Sequence, residues 1–175
     1  MGPTGWHALG GVEPFRGTPF PTPLRGVQEG MFSGSFDHVL DDKGRTSLPK
    51  DFRELLARQA AEPWLACLPE CLAIYPAAEY EALRTALSQA SKVNGSVTRL
   101  LRLITGMASR CPFDRQGRIL IPAKVRAWAG LQRDIVFTGV GDRIEIWDRA
   151  RHQAELERIR ENFDDYTKDL KDFGL

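Results

Sequence analysis

Two apolar runs, WLACL (64–68) and LAIY (72–75), are separated by the breaker stretch PEC. Short apolar runs bounded by a turn predict a β-hairpin. The arrangement returns in DIVFTG (134–139) and RIEIW (143–147), joined by VGD. Each hairpin leads into a stretch of helical character, PAAEYEALRTALSQA after the first and DRARHQAELERIRENF after the second, with Pro76 and Asp148 as start signals. Leu100, Leu101, Ile104 and Met107 fall on one face of a further helix predicted over NGSVTRLLRLITGM. Short helices are predicted from the spacing of Phe52, Leu55 and Leu56 and of Val125, Trp128 and Ala129, the second stopped by Gly130. Residues 1–30 hold no such period. Their seven glycines and five prolines predict a disordered extension, and Met31, where the ordered pattern opens, is a candidate start.

The pattern is written twice. Asp41, Gly44, Arg45, Pro49 and Arg53 recur as Asp114, Gly117, Arg118, Pro122 and Arg126, always 73 residues on. Each copy reads strand–turn–strand–helix–hairpin–helix. Two copies are too few for a solenoid, and one copy has too few strands to close a core alone. The expected fold is therefore α+β, mainly β, with two pseudo-symmetric half-barrels packed about a two-fold axis. Their pairing is expected to close the sheet and remove its edges. The expected organisation is 1–30 as the extension, 31–92 as the first repeat, 93–163 as a linker helix plus the second repeat, and 164–175 as an acidic tail.

The repeated turn carries the candidate chemistry. In DDKG and DRQG the aspartate suits a side-chain cap of a tight hairpin turn, and Gly44 or Gly117 suits a positive φ. Proline suits the start of the helix that follows. None of this needs an arginine after the glycine. Arg45 and Arg118 stand at the first strand position past each turn, where their guanidiniums are expected to project from a rigid tip. A guanidinium takes phosphate, or guanine O6 and N7, with two parallel hydrogen bonds. Gln116 is suited to a base edge and Lys43 to phosphate.

Charge sharpens that picture. The net charge of +1 hides eight basic residues against one acid between Arg99 and Arg133, while the stretch after Trp147 holds eight acids and six bases. A basic segment centred on the second motif is an electrostatic footprint for nucleic acid. Cys67, Cys71 and Cys111 do not make a disulfide framework. A zinc site using them with His38 is disfavoured by the wide Cys67–Cys71 spacing with Pro69 inside it. Buried small hydrophobes are the preferred reading, with no metal or cofactor expected. No serine-hydrolase elbow, zinc-protease helix or phosphate-binding loop is present, and no small-molecule substrate is evident. No apolar run reaches the ~18 residues of a membrane span, and the first thirty residues lack a secretory apolar segment. A cytoplasmic protein without membrane partners is expected.

The stretches MFSGSFDHVLDDKGRTSLPKDFRELL and FDRQGRILIPAKVRAWAGLQRDIVFTGVGDRIEIWDR resemble the two halves of the MraZ family, bacterial regulators of AbrB/SpoVT-like fold. The resemblance covers about Met31 to Phe163. It implies two AbrB-like halves and a sequence-specific double-stranded-DNA-binding regulator. Its expected target is short repeats upstream of its own division and cell-wall gene cluster. It further implies a ring-forming homo-oligomer located on the nucleoid, and no enzymatic activity. Carried over by position, the DNA-binding residues are Lys43, Gly44 and Arg45, then Arg115, Gln116, Gly117 and Arg118. Two departures stand out: the N-terminal extension, and Ser33 where the family pattern leads one to expect a basic residue. An antitoxin-like or scaffold protein of the same fold, without specific readout, is the alternative, because fold does not imply function.

Overall fold

Pro49 and Pro122 each stand immediately before a short helix, their fixed φ (−50° and −59°) leading the chain into α1 (Lys50–Ala57) and α4 (Ala123–Ala129). The structure, a computed structural model, describes residues 31–170. The expected extension, 1–30, and residues 171–175 of the acidic tail lie outside the described residues. Before α1 come β1 (Ser35–Val39) and β2 (Arg45–Ser47); after it come β3 (Trp64–Cys67), β4 (Leu72–Tyr75) and α2 (Ala77–Ser91). A helix, α3 (Gly95–Gly106), leads to β5 (Ser109–Arg110) and β6 (Arg118–Leu120), which precede α4. β7 (Asp134–Val140), β8 (Arg143–Asp148), α5 (Arg149–Glu161) and α6 (Phe163–Leu170) complete the described chain. Asp148 starts α5 by accepting hydrogen bonds from the backbone N–H groups of Ala150 and Arg151, an N-cap that satisfies otherwise orphaned donors.

The two copies interleave. A six-stranded sheet runs β1-β7-β8-β4-β3-β5, and a separate two-stranded ribbon joins β2 to β6; every pairing is antiparallel. Exchanging each strand for its counterpart in the other copy reverses the sheet order onto itself. The two-fold relation therefore passes between β4 and β8, and through the middle of the ribbon, where Thr46 faces Ile119. β1 pairs with the hairpin of the second copy and β5 with that of the first, so each copy completes the other's sheet.

Two expectations need correction. The Asp–Gly turns do not cap hairpins, because β1 and β2 flank the first turn yet pair with β7 and β6 rather than with each other. The sheet also keeps two edges, β1 and β5, among the described residues. Those edges are blunted in other ways: β5 has two residues, and β1 exposes Ser35, Asp37 and Val39 alternately.

Alternation along the strands sorts the core into two faces. Leu65, Cys67, Leu72, Ile74, Ile135, Phe137, Ile144 and Ile146 point to one side, where they meet α1, α4 and the ribbon through Phe52, Leu56, Ile119, Ile121 and Val125. Ala66, Ala73 and Tyr75 point to the other, against Tyr80 of α2 and Ile104 of α3. Both faces of β4 are covered, which is why LAIY is a continuous apolar run. The three cysteines are buried and unpaired. Burial pushes the Cys111 thiol up to about 12, and the Cys71 thiol is likewise raised, chiefly by burial. No described helix is long and apolar enough to cross a membrane.

Candidate nucleic-acid interface

The ribbon of β2 and β6 shows how the sequence builds the site. Thr46 and Ile119 point inward and are buried, so Arg45, Ser47, Arg118 and Leu120 share the outer face. Arg45 lies opposite Leu120 and Arg118 opposite Ser47, an offset of two residues, or about 7 Å along the ribbon. The two turns thus sit at opposite ends of one short platform.

Each turn is built alike. The Gly44 N–H donates to the Asp41 carbonyl and the Asp41 N–H to the Arg45 carbonyl, both at 2.9 Å; Gly117, Asp114 and Arg118 repeat both bonds at the same length. Gly44 and Gly117 take φ of +82° and +75°. Asp41 Oδ1 accepts from the Arg45 backbone N–H at 2.8 Å. Asp114 Oδ1 accepts from the N–H groups of Gln116 and Arg118 at 2.8 and 3.0 Å. These backbone donors come first in holding both carboxyls below the usual carboxylate range, helped by the guanidiniums beside them.

The arginines do not project freely, as the sequence led one to expect. Arg45 folds back so that its Nε donates to Asp41 Oδ2 at 2.8 Å. Arg118 Nε does the same to Asp114 Oδ2 at 2.8 Å, with Nη2 at 2.7 Å from the same oxygen. The cause is the four-residue spacing across the turn, which puts carboxylate and guanidinium on one side. Both side chains remain about 40% exposed, at 42% and 39%, so part of each fork still faces solvent. Lys43, Arg115 and Gln116 are exposed at the turn tips. Neither Lys43 nor Arg115 is in an ion pair among the described residues.

The basic segment read from the sequence does not form one patch. Its residues spread over α3, β5, the second turn and α4, and two are engaged elsewhere. Arg110 lies over the Trp64 ring at 4.2 Å and donates to the Glu62 carbonyl at 2.9 Å. Arg126 lies against Gly44: a Cβ placed on that glycine would stand 2.8 Å from Arg126 Cζ. Arg53 covers Gly117 in the same way, and its Nη1 approaches the Gln116 carbonyl at 3.5 Å. Arg53 and Arg126 had only their shared spacing as a signal, which marks them as part of the repeat without revealing that each reaches the opposite copy.

The model of the MraZ protein family, whose description includes the term antitoxin-like, matches residues 31–103 and again 104–174. A protein named transcriptional regulator MraZ from Pediococcus pentosaceus is 41% identical over 145 residues, covering 83% of this chain and all of the relative. Proteins of the same name from Lactiplantibacillus plantarum and Heliobacterium modesticaldum are 36% and 35% identical, over 82% and 83% of this chain and all of each relative.

Proposed function

The chain belongs to the MraZ family, a family of transcriptional regulators and not of enzymes, and from that premise we propose that it is a sequence-specific DNA-binding transcription regulator. The observation that carries the reading is the ribbon, where two arginines from two copies of one turn share an outward face, each oriented by its own aspartate. An antiparallel pair of strands fits the major groove, and an arginine held in place reads guanine O6 and N7. Lys43, Arg115 and Gln116 at the turn tips supply phosphate and base-edge contacts, while Gly44 and Gly117 let each turn close beneath the arginine of the opposite copy.

The two copies are AbrB-like halves. The target is a set of short repeats upstream of the protein's own division and cell-wall gene cluster. The protein acts in the cytoplasm, on the nucleoid, as a closed cyclic oligomer. Tyr75 and Trp147 are buried in the core and face no partner. Leu156, Ile159, Phe163 and Tyr166 form an exposed apolar stripe at helical spacing along α5 and α6.

One observation favours a second reading. Both motif arginines already have a carboxylate partner, as they would in an antitoxin-like or scaffold protein that reads no sequence. A scrambled duplex beside the repeats separates the two, and salt tests the phosphate contacts the first requires. With several subunits each meeting phosphate, log K for a duplex carrying tandem repeats should fall steeply with log salt, by more than one subunit supplies. Light scattering on the same samples should give a multiple of the monomer mass. A flat salt response, or a monomer with and without DNA, would overturn this account.

A further inference from the structure

Arg53 and Arg126 occupy the fourth position of α1 and α4, and each rests on the turn glycine of the other copy. A Cβ on Gly117 would collide with Arg53 Nη1 and lie 2.8 Å from its Cδ. A Cβ on Gly44 would lie 2.8 and 2.9 Å from Arg126 Cζ and Nε. Backbone bonds cross in the same sense: the Ile121 N–H donates to the Gly44 carbonyl at 2.8 Å and the Leu48 N–H to the Gly117 carbonyl at 2.9 Å. Arg126 is half-buried, and its Nε is shielded from solvent without a hydrogen-bond partner. Hydrogen bonding therefore does not account for its place; its flat guanidinium fills the space a side chain on Gly44 would take. It lines a cleft together with Asp41, Asp42 and Arg133 beside that turn.

Resting on the DNA-binding reading above, we propose that Arg126 is a positioning residue for the turn that presents Arg45, and Arg53 one for the turn that presents Arg118. The shape of each reading turn then depends on a helix of the opposite copy. Each arginine fork is thus set from the opposite copy, and each turn can be loosened without the other.

The pattern of effects, not their size, is the test. Arg126→Met and Arg53→Met keep most of the side-chain length and remove the charged plane. Without DNA, hydrogen exchange on the full chain should show the Gly44 amide exchanging about tenfold faster in Arg126→Met, with Gly117 unchanged, and the reverse in Arg53→Met. With DNA, double-mutant cycles should show Arg126→Met coupled to Arg45→Ala and additive with Arg118→Ala, and Arg53→Met coupled to Arg118→Ala. Equal loosening of both turns, no loosening, coupling within one copy, or additivity in every pair would overturn the proposal. If a methionine variant does not fold, Arg126→Lys and Arg53→Lys are read by the same exchange ratio between the two glycines. A wild-type chain that binds no DNA would sink the functional reading, while the exchange pattern would still decide the positioning claim.

Discussion

Gly44→Ala and Gly117→Ala are the same substitution at equivalent places, and the structure predicts unequal outcomes. Both glycines have positive φ, where an L side chain costs about 1–2 kcal/mol. The surroundings then differ. A Cβ on Gly44 would lie 2.6 Å from the backbone carbonyl oxygen of Ile121, and Ile121 is itself bonded through its N–H to Gly44. Relief requires the end of the ribbon to move, an overpacking cost of about 1–3 kcal/mol. The three atoms nearest a Cβ on Gly117 all belong to Arg53, whose side chain can swing aside. The totals are about 2–5 kcal/mol for Gly44→Ala and close to the φ cost alone for Gly117→Ala. For a chain of this size, 1 kcal/mol moves Tm by about 2–4 °C. Thermal unfolding followed by circular dichroism, with urea midpoints as a second measure, should place Gly44→Ala several degrees below Gly117→Ala. Equal losses, or the reverse order, would refute the claim that the first turn is pinned by backbone and the second by a movable side chain.

Two other outcomes follow from the charged and titrating groups. Asp114→Asn should hardly move Tm, because the amide oxygen still accepts the turn N–H groups. It should raise affinity for any duplex and lower the preference for the repeat sequence, since Arg118 loses its orienting partner; unchanged discrimination in a competition assay would contradict this. His38 is held below its ordinary value near 6.5 chiefly by burial, with its ring edge-on to Phe137 at 5.3 Å. A depressed folded-state pKa contributes stability that is present above the unfolded value and lost as pH falls. Stability should therefore decline below about pH 6.5, and His38→Gln should flatten that decline in urea titrations; an unaltered slope would assign it elsewhere.

The elements were legible because local signals agree: alternation and turns gave both hairpins, proline and aspartate gave the helix starts, and the 73-residue repeat gave both copies of the turn. Strand partners were not legible. β1 and β2 are separated by a turn that reads as a hairpin, and only packing against the second copy sends them to different sheets. The equivalence even slips within the chain: Ala73 and Glu145 face each other across the two-fold relation but are 72 residues apart, because the second copy has one residue fewer between its ribbon strand and its hairpin. At the site, the residue types were visible and their posture was not. The pairing of Arg45 with Asp41, and the reach of Arg126 to Gly44, depend on side-chain direction and on contacts between distant segments. The basic run failed as a map for the same reason, because neighbours in sequence fold onto different elements.

The central claim is that Arg45 and Arg118 read base pairs from a shared ribbon, and one titration tests it directly. Wild type, Arg45→Ala and Arg118→Ala would each be measured against a duplex carrying the tandem repeats upstream of the protein's own gene, and against a scrambled duplex, at one fixed salt concentration. The account predicts that wild type prefers the repeats, and that each variant loses about 1–3 kcal/mol on the repeats and much less on the scrambled duplex. Equal wild-type affinity for both duplexes, or variants that bind the repeats as wild type does, would contradict it.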